Sequence, residues 1–360
     1  MTALPAGGDD QSETIAFLSR PESYGIRDGT VERVETHCSL VFLAGEHAFK
    51  LKRAIRYVSL DYTTRDLRQA ACDAEVRLNR RTAPDLYLGV RSINRAPGGS
   101  LTFDGAGPAL DHVVQMRRFA QSDLFDYMAG DGRLSPELMR SLGETVARFH
   151  RDAEITSAHG GSDAIRRVIA DNSRELANVA AELDGAAVRQ LSAATAAALG
   201  AAAPLLDQRR AQGKVRRCHG DLRLANICLF AGRPTLFDCI EFNDDISCID
   251  VLYDLAFLLM DLELAGRPAL ASAVSNAYLD VSPETAGLRA LPLFLALRAA
   301  TRSYALAGAA RRRSEPREAA RLLDLARRHI EAGLRFLLRP NPLLTLVEAG
   351  TGRPGAPQVA

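Results

Sequence analysis

The sequence predicts an α+β fold of two lobes, a small antiparallel β-sheet with one helix followed by a larger and mainly helical lobe. Three observations predict it. Alternating and apolar runs typical of short strands fill most of residues 31–119, and one helical pattern interrupts them at 64–81. A polar loop and a short predicted hairpin follow at 217–241. Helical patterns, many of them alanine-rich, occupy most of the chain between residues 134 and 339.

Composition limits the class of protein before any motif is considered. Of the 360 residues, 47% are hydrophobic and 25% are charged, as is usual for a soluble globular protein. A net charge of +1 gives no electrostatic argument for nucleic acid or an anionic membrane as a partner. The N-terminus lacks a secretory pattern, and no apolar run reaches the roughly 20 residues of a membrane span. We therefore expect a cytoplasmic protein. The oligomeric state does not follow from the sequence.

The predicted domain boundaries follow from where these patterns change. We place the first lobe at residues 13–117 and the second at 118–340. Residues 1–12 are predicted to form a disordered tail, and a mobile tail is predicted at 341–360, beyond the prolines that end the last helical pattern. A short helix is expected at 14–20, before Pro21.

Two lysines stand out among the predicted strands of the first lobe, which lie at 31–36, 39–43 and 47–53. The third strand (HAFKLKR) alternates, so Lys50 and Lys52 lie on one face and its two large apolar residues on the other. Lysine is rare in this chain, because arginine supplies nearly all of its 45 basic residues. The pair is therefore a candidate anion-binding site; the alternative is that both lysines are solvated residues of an edge strand.

The helix predicted at 64–81 places Glu75 toward the sheet. Its apolar stripe consists of Leu67, Ala71, Ala74 and Leu78. The alternative is that Glu75 is a surface residue paired with Arg68 or Arg77. Further strands are predicted at 86–94 and 112–119, separated by a glycine-containing hairpin region at 97–107.

Residues 217–241 (RCHGDLRLANICLFAGRPTLFDCIE) hold the candidate catalytic groups. Asp221 lies in an H-G-D triplet, and Asn226 follows it by five residues. Strands are predicted at 226–230 and 235–240, so the hairpin is expected to carry Asp238 back toward Asp221 and Asn226. We expect His219 to brace the loop and not to take part in the chemistry.

Two acids and an amide at one place suit phosphoryl transfer. A transferring phosphoryl group spreads negative charge over its oxygens, and Mg²⁺ must neutralise that charge while a hydroxyl is positioned for attack. Mg²⁺ prefers oxygen ligands and usually takes one or two carboxylates. Asn226 and Asp238 are therefore the predicted metal ligands, and Asp221 the predicted base or anchor for the hydroxyl. Its spacing to Asn226 is that of the protein-kinase catalytic loop.

HGDLRLAN, LFDCIEF and IDVLYDLAF together resemble the aminoglycoside phosphotransferase family, a branch of the protein-kinase-like fold. The segments THCSLVFLAGEHAFKLKR and APDLYLGV resemble a bacterial subgroup of unassigned substrate. The likeness covers most of the chain from Val31 onward. It implies that Asp221 is catalytic and that Asn226 and Asp238 bind metal, with structural support from Asp250 and Asp254.

A nucleotide site of this kind needs a strand lysine paired with a helix glutamate to hold the phosphates. Glu75 is the predicted partner. Lys50 is preferred because A-F-K matches the end of the kinase motif V-A-I-K, and Lys52 is the alternative. A hinge is predicted where the chain leaves the last strand, from Gln115 to Arg118, and its backbone, with Gln115 and Met116 as the candidate residues, would bind a purine.

The glycine-rich loop of protein kinases, G-x-G-x-x-G, is absent between Val31 and Val41, where that loop would lie. Phosphate contacts are therefore expected from Ser39, Thr36 or backbone N–H groups. Without that loop the choice of ATP is less certain, and GTP stays possible as the donor.

Acidic residues are frequent just after Asp238. One interpretation is a negative wall that attracts a cationic acceptor. The preferred one assigns a loop-supporting role to Asp250 and Asp254 and a place beside the metal to Glu241. The remaining acids are then surface residues: Asp244, Asp245, Asp261 and Glu263.

The sequence thus predicts an ATP-dependent phosphotransferase that acts with Mg²⁺ on a hydroxyl of a small molecule. The alternative is a non-catalytic nucleotide-binding or scaffolding module of the same fold. A protein kinase ranks last, because only a short stretch separates Asp238 from the next helix and leaves no room for an activation loop.

Overall fold

The computed structural model of the protein describes residues 8–57 and 59–338. These residues form two compact units: the first runs to Leu124 and includes Cys228–Asp244, and the second comprises Phe125–Ile227 and the chain from Asp245 onward. The predicted mobile tail at 341–360 and residues 1–7 of the predicted N-terminal tail lie outside the described residues.

The first unit is built on an antiparallel six-stranded sheet with strand order β1-β2-β3-β8-β6-β7. Its elements are α1 (Ser12–Leu18), β1 (Glu32–Glu35), β2 (Ser39–Ala44), β3 (His47–Lys52), β4 (Arg56–Tyr57), β5 (Leu60–Asp61), α2 (Arg65–Asn79), β6 (Tyr87–Arg95), β7 (Leu101–Phe103) and β8 (Ala109–Arg117). β4 and β5 pair with each other as a separate ribbon.

The second unit is mainly helical. It contains α3 (Phe125–Gly130), α4 (Pro136–Asp152), α5 (Gly161–Asn178), α6 (Gly185–Ala211) and β9 (Val215–Arg217). The hairpin of β10 (Ile227–Phe230) and β11 (Arg233–Leu236) follows in the chain and belongs to the first unit from Cys228 onward. After it come α7 (Asp244–Ser247), β12 (Cys248–Asp250), α8 (Val251–Leu264), α9 (Pro268–Val281), α10 (Leu291–Ala310) and α11 (Pro316–Leu338). The predicted α+β class is confirmed.

Strand β3 separates two apolar clusters because its side chains alternate. Phe49 and Leu51 pack with Phe17 and Leu18 on the face that α1 covers. Ala48 packs on the other face, with α2 residues such as Val76. The lysines of β3 share that second face, so the sheet directs them toward α2.

The helix α8 forms the centre of the second unit. All ten residues from Val251 to Met260 are buried, and α8 packs against both α9 and α10. Nine of these ten are apolar or aromatic, and burying a large apolar side chain contributes about 1.5–3 kcal/mol. Asp254 is the one charged residue in this stretch.

Three expectations about local structure are wrong. Leu67 is 42% exposed, because α2 is rotated so that Arg68 points inward and pairs with the buried Asp111. The pattern over residues 255–281 predicts one helix, but α8 and α9 are separate, since Gly266 adopts a φ of 70° and Pro268 begins α9. Residues 8–12 are ordered where a disordered tail was expected: Gln11 is buried and its side-chain amide donates to the Lys52 carbonyl.

Among residues 8–57 and 59–338, helices long enough to cross a bilayer lack the necessary apolar character.

Candidate active site

Lys50 and Lys52 both form ion pairs with the same glutamate. Lys50 Nζ lies 2.8 Å from Glu75 Oε1, and Lys52 Nζ lies 2.6 Å from Glu75 Oε2. Lys50 also lies 2.5 Å from Asp238 Oδ1. Lys52 pairs with Glu241 in turn. The helix α2 thus supplies one buried carboxylate that fixes both lysines of β3.

Glu75 and Lys50 hold each other in their ionised forms. Burial would raise the pKa of Glu75, but the two lysines outweigh it and hold that pKa at about 2. Burial would likewise lower the pKa of Lys50, and the carboxylates of Asp238 and Glu75 raise it instead. With Glu241, three carboxylates face two ammonium groups. The excess negative charge suits an additional cation.

The two lysines differ in how open they are. Lys52 is 1% exposed and lies between Glu75 and Glu241, with the Tyr62 ring 5.1 Å from its ammonium group. Tyr62 also donates to Glu241 Oε1 at 2.7 Å. Lys50 is only partly buried, and its second partner, Asp238, has a side chain that is 44% exposed. Lys50 is therefore the lysine that a ligand reaches.

The sequence pattern predicted that Asp238 lies on the returning strand, but the structure places it outside that strand. β11 ends at Leu236, and Asp238 follows it with a φ of 61°. A residue with a side chain rarely adopts this left-handed conformation unless its surroundings hold it there. Two contacts do so: the Tyr87 hydroxyl accepts the Asp238 N–H at 3.1 Å, and Asn79 Oδ1 accepts the Cys239 N–H at 2.9 Å.

The turn between β1 and β2 stands where protein kinases have their glycine-rich loop. Thr36 Oγ1 accepts the Ser39 N–H at 3.0 Å and donates to the Ser39 carbonyl. Ser39 itself is buried. These groups are committed to the turn, so the expectation that Ser39 contacts phosphate would require the turn to rearrange.

The predicted hinge residues lie inside β8 and not beyond it. Gln115 pairs with Phe49 and Met116 with Ala48, and the strand continues to Arg117. Residues directly opposite each other share a face of the sheet, so Gln115 lies on the face away from the lysines. The strand was predicted to reach Phe119, so the predicted hinge already lay within the predicted strand; β8 ends at Arg117.

The loop of the second unit holds Asp221 and Asn226 together. The Asn226 side-chain amide donates to the Asp221 carbonyl at 2.9 Å and to Asp221 Oδ2 at 2.7 Å. Arg223 Nε donates to the same carboxylate oxygen at 3.1 Å. Burial would raise the pKa of Asp221, but Arg223 and Arg302 outweigh it and hold the pKa below its ordinary value. Asp221 is therefore ionised at neutral pH.

Asp254 of α8 fixes the backbone of this loop. Its two carboxylate oxygens each accept a backbone N–H, from His219 and from Gly220, at 2.9 Å. His150 binds the same carboxylate through Nε2 at 3.1 Å. His219 is fully buried, and its Nδ1 accepts the Asp221 N–H at 3.4 Å.

A second acid of α8, Asp261, contacts the loop as well. Its Oδ2 accepts the Leu224 N–H at 3.1 Å, and the residue is half-buried. The expectation that Asp261 is a plain surface residue is therefore wrong. It lies seven residues after Asp254, which places both on one face of the helix. Asp244 and Asp245 are exposed, as predicted, whereas Glu263 is half-buried.

Asp250 supports the second unit from further away. It caps α8 by accepting the Leu252 N–H, and Arg209 binds both of its oxygens at 2.7 and 2.8 Å. Arg209 also donates to the buried Glu284 at 2.6 Å. Asp250 thus joins α6 to α8.

The predicted metal ligands have the chemistry that Mg²⁺ requires. Asn226 uses its side-chain N–H groups on Asp221. Its Oδ1 accepts no hydrogen bond from the described residues and is therefore available to a metal ion. Asp238 Oδ2 is likewise without a donor in the described part of the chain. Both are oxygen ligands, which fits a hard cation. The predicted convergence of Asp238 with Asp221 and Asn226 stays a prediction.

Among the residues that sequence reasoning missed, Tyr87, Arg223 and Arg298 contact these groups, and Arg302 acts on Asp221 electrostatically. Arg223 had a signal, since it lies two residues after Asp221 inside the motif. The others lie far from the motif in sequence, and no local pattern distinguishes them.

The comparisons with known proteins identify the family of the chain. Residues 103–291, just over half of the chain, match the phosphotransferase enzyme family (APH). The chain belongs to that family. The similar solved structures share the protein-kinase-like, two-lobe α+β fold.

Three of these solved structures are phosphotransferases or kinases. A choline/ethanolamine kinase family protein from Mesorhizobium loti has a TM-score of 0.55 at 17% identity, over 94% of this chain and 98% of its own. A thermostable mutant of aminoglycoside phosphotransferase APH(4)-Ia has a TM-score of 0.51 at 16% identity, over 88% and 98%. The GDP complex of aminoglycoside 2'-phosphotransferase-IIIa has a TM-score of 0.51 at 15% identity, over 89% and 99%.

The curated relatives are uncharacterised proteins. Those of Mycobacterium tuberculosis and Mycobacterium bovis are 31% identical over 273 residues, which is 75% of this chain. The chain spans about half the length of these relatives, 53%.

Proposed function

We propose that the protein is an ATP-dependent phosphotransferase that moves the γ-phosphoryl group to a hydroxyl of a small molecule. The observation that carries the proposal is the buried Glu75 ion pair with Lys50, which also binds Asp238. A lysine fixed in this way on a sheet strand is the device that kinases use to hold nucleotide phosphates. The family, together with neighbours described as kinases and phosphotransferases, supports the same class.

Each residue then has a role that its contacts support. Lys50 would hold phosphate oxygens, and Glu75 would keep it extended and charged. Asp221, ionised and oriented by Asn226, would accept a hydrogen bond from the acceptor hydroxyl and take its proton as the oxygen attacks. The new bond joins that oxygen to the γ-phosphorus, and the bond from the γ-phosphorus to the bridging oxygen breaks. Lys52 and Glu241 would keep the cluster in place without touching the nucleotide.

Mg²⁺ fits the oxygen ligands that Asn226 and Asp238 offer, and when bound it would neutralise phosphate charge. ATP is the proposed donor, and GTP stays open as an alternative, since one structural neighbour is a GDP complex. The predictions of a cytoplasmic location and of no nucleic-acid partner remain predictions.

The experiment is phosphorylation of a metabolite pool with γ-labelled ATP or GTP and Mg²⁺. Wild-type protein should transfer label to a small molecule. Asp221→Asn should lower the transfer rate by at least about 100-fold, because a positioned base contributes about that much. Its nucleotide affinity should stay unchanged, because Asp221 serves the acceptor. A protein that neither binds, hydrolyses nor transfers from any purine triphosphate would refute the proposal.

The same assay separates the non-catalytic alternative. If the protein is a scaffolding module, wild type and Asp221→Asn should bind nucleotide with the same affinity, and neither should transfer label.

A further inference from the structure

Two arginines of α10 lie along the face that meets the catalytic loop. Arg298 Nη1 donates to the Gly220 carbonyl at 3.3 Å, directly before Asp221. Arg302 follows one helical turn later, on the same face of α10. It lies close enough to Asp221, Asp261 and Arg223 to influence them electrostatically. The loop therefore contains one arginine, Arg223, and two more, Arg298 and Arg302, lie on the face of α10 that meets it.

Arg302 has no direct partner among the described residues. Its guanidinium makes no hydrogen bond there, and no described carboxylate lies within the 4.0 Å of an ion pair. Its Nε is buried. A buried donor without a partner costs stability, whereas the residue as a whole is half-buried. A planar guanidinium matches a carboxylate or phosphate with two parallel hydrogen bonds.

The nearby acids are already committed. Asp221 Oδ2 binds Arg223 and Asn226, and Asp261 Oδ2 accepts the Leu224 N–H. Asp250 binds Arg209, and Asp254 binds the loop backbone and His150. Asp250 and Asp254, two acids of the negative-wall interpretation, have both carboxylate oxygens engaged and are therefore not free to attract a cationic acceptor.

The proposed nucleotide cations belong to another part of the chain. Lys50 and Lys52 lie in the first unit, whereas Arg302 belongs to the second unit with Asp221, the proposed hydroxyl-binding residue. Because Arg302 also acts electrostatically on Asp221, we assign it to the acceptor.

We propose that the acceptor carries an anionic group, a carboxylate or a phosphate, in addition to its hydroxyl, and that Arg302 binds this group with Arg223 beside it. The proposal rests on the proposed function, because it takes Asp221 as the residue that receives the hydroxyl. It names a substrate class opposite in charge to an aminoglycoside.

The test is calorimetric binding of inorganic phosphate, of acetate and of glucosamine to the full chain. Phosphate or acetate should bind saturably, and glucosamine should not. Which of the two anions binds more tightly distinguishes a phosphorylated acceptor from a carboxylated one. Arg302→Gln should weaken the anion at least about tenfold, as expected for a lost bidentate charged hydrogen bond. Arg302→Lys should retain part of the affinity, because it keeps the charge.

Two control variants locate the site. Lys50→Met reports on the proposed nucleotide site: phosphate binding that is lost in Lys50→Met and kept in Arg302→Gln occurs at Lys50, whereas binding at Arg302 should survive this substitution. Arg312→Gln, an exposed arginine just beyond the end of α10, should also leave binding at Arg302 unchanged. Melting temperatures of Arg302→Gln and Arg302→Lys close to wild type exclude misfolding as the cause.

The outcomes are distinct. Saturable binding that Lys50→Met abolishes and Arg302→Gln preserves would overturn the inference, as would preferential binding of glucosamine or no binding of either anion. Binding of a non-hydrolysable ATP analogue is measured on the same proteins. Its failure, with Arg302-dependent anion binding intact, would refute the proposed function and leave the anion site standing.

Discussion

At the scale of single residues, the two lysines of β3 share Glu75 and yet have different surroundings. Lys50 is open and binds Asp238, whereas Lys52 is enclosed by Glu75, Glu241 and Tyr62. Lys50→Met should therefore weaken nucleotide binding at least about tenfold, as expected for a lost charged contact to phosphate. Its melting temperature should change little, because Glu75 keeps Lys52. Calorimetry with a non-hydrolysable ATP analogue and thermal melts measure both quantities.

Lys52→Met is the matched variant and should act in the opposite way. It leaves Glu241 without its lysine in a buried place, and breaking a buried pair costs about 3–5 kcal/mol. Stability should fall, measured by denaturant unfolding. Equal stability losses in the two variants would contradict this assignment. If Lys52→Met folds properly and is the variant that loses nucleotide affinity, the roles of the two lysines are reversed.

His329 gives the protein a specific pH dependence. Burial lowers the pKa of His329 from 6.5 to about 4 in the folded protein. As the pH falls below 6.5, the unfolded chain takes up a proton that the folded chain does not. The stabilisation is therefore complete above pH 6.5 and is lost as the pH falls toward 4. The loss amounts to at most about 3 kcal/mol.

Denaturant unfolding between pH 7 and pH 4 measures this effect. His329→Gln should flatten the curve in that window, because it removes the group whose pKa differs between the folded and unfolded chain. A slope unchanged by His329→Gln would contradict the assignment.

At the scale of elements, α8 supports the loop that holds Asp221 and Asn226. Asp254 accepts two loop N–H groups and one hydrogen bond from His150 inside the apolar core. Asp254→Ala should therefore cost about 3–5 kcal/mol of unfolding free energy, because buried partners lose their acceptor. Glu144→Ala, which removes an exposed pair with Arg148 on α4, should cost about 0.5 kcal/mol or less. Similar costs for both would show that α8 does not support the loop.

How far the elements were predictable depended on how local their cause was. The alternation of β3 and the helical pattern of α2 were local signals, and they placed Lys50, Lys52 and Glu75 on facing surfaces. The hairpin of β10 and β11 was predicted too, but Asp238 was assigned to its strand. Its left-handed backbone depends on Tyr87 and Asn79, about 150 residues away in the chain, which no strand pattern contains.

The same reason explains the other errors. Leu67 fitted an apolar stripe, yet the buried pairing of Arg68 with Asp111, 43 residues away, determines how α2 is rotated. Asp261 and Arg302 lie 40 or more residues after Asp221, so the contact of α8 and the electrostatic influence of α10 on the loop were invisible in the motif. Residues at motif spacing were found, and residues brought to the motif by helix packing were not.

At the scale of the whole molecule, the chain is a member of a phosphotransferase family with two compact units. The first unit carries the lysines, Glu75 and Asp238, and the second carries Asp221, Asn226 and the arginines. Because the chain spans about half the length of its mycobacterial relatives, their full activity and partners are not assigned to it.

The most direct measurement is calorimetric titration of the full chain with non-hydrolysable ATP and GTP analogues, in Mg²⁺ and in EDTA, for wild type and Asp238→Asn. Asparagine also tolerates the left-handed backbone at this position, so the fold should persist. We expect wild type to bind at least one analogue, with affinity at least about tenfold weaker in EDTA and in Asp238→Asn. Binding that neither EDTA nor the substitution changes, or no binding of either purine analogue, would contradict the account.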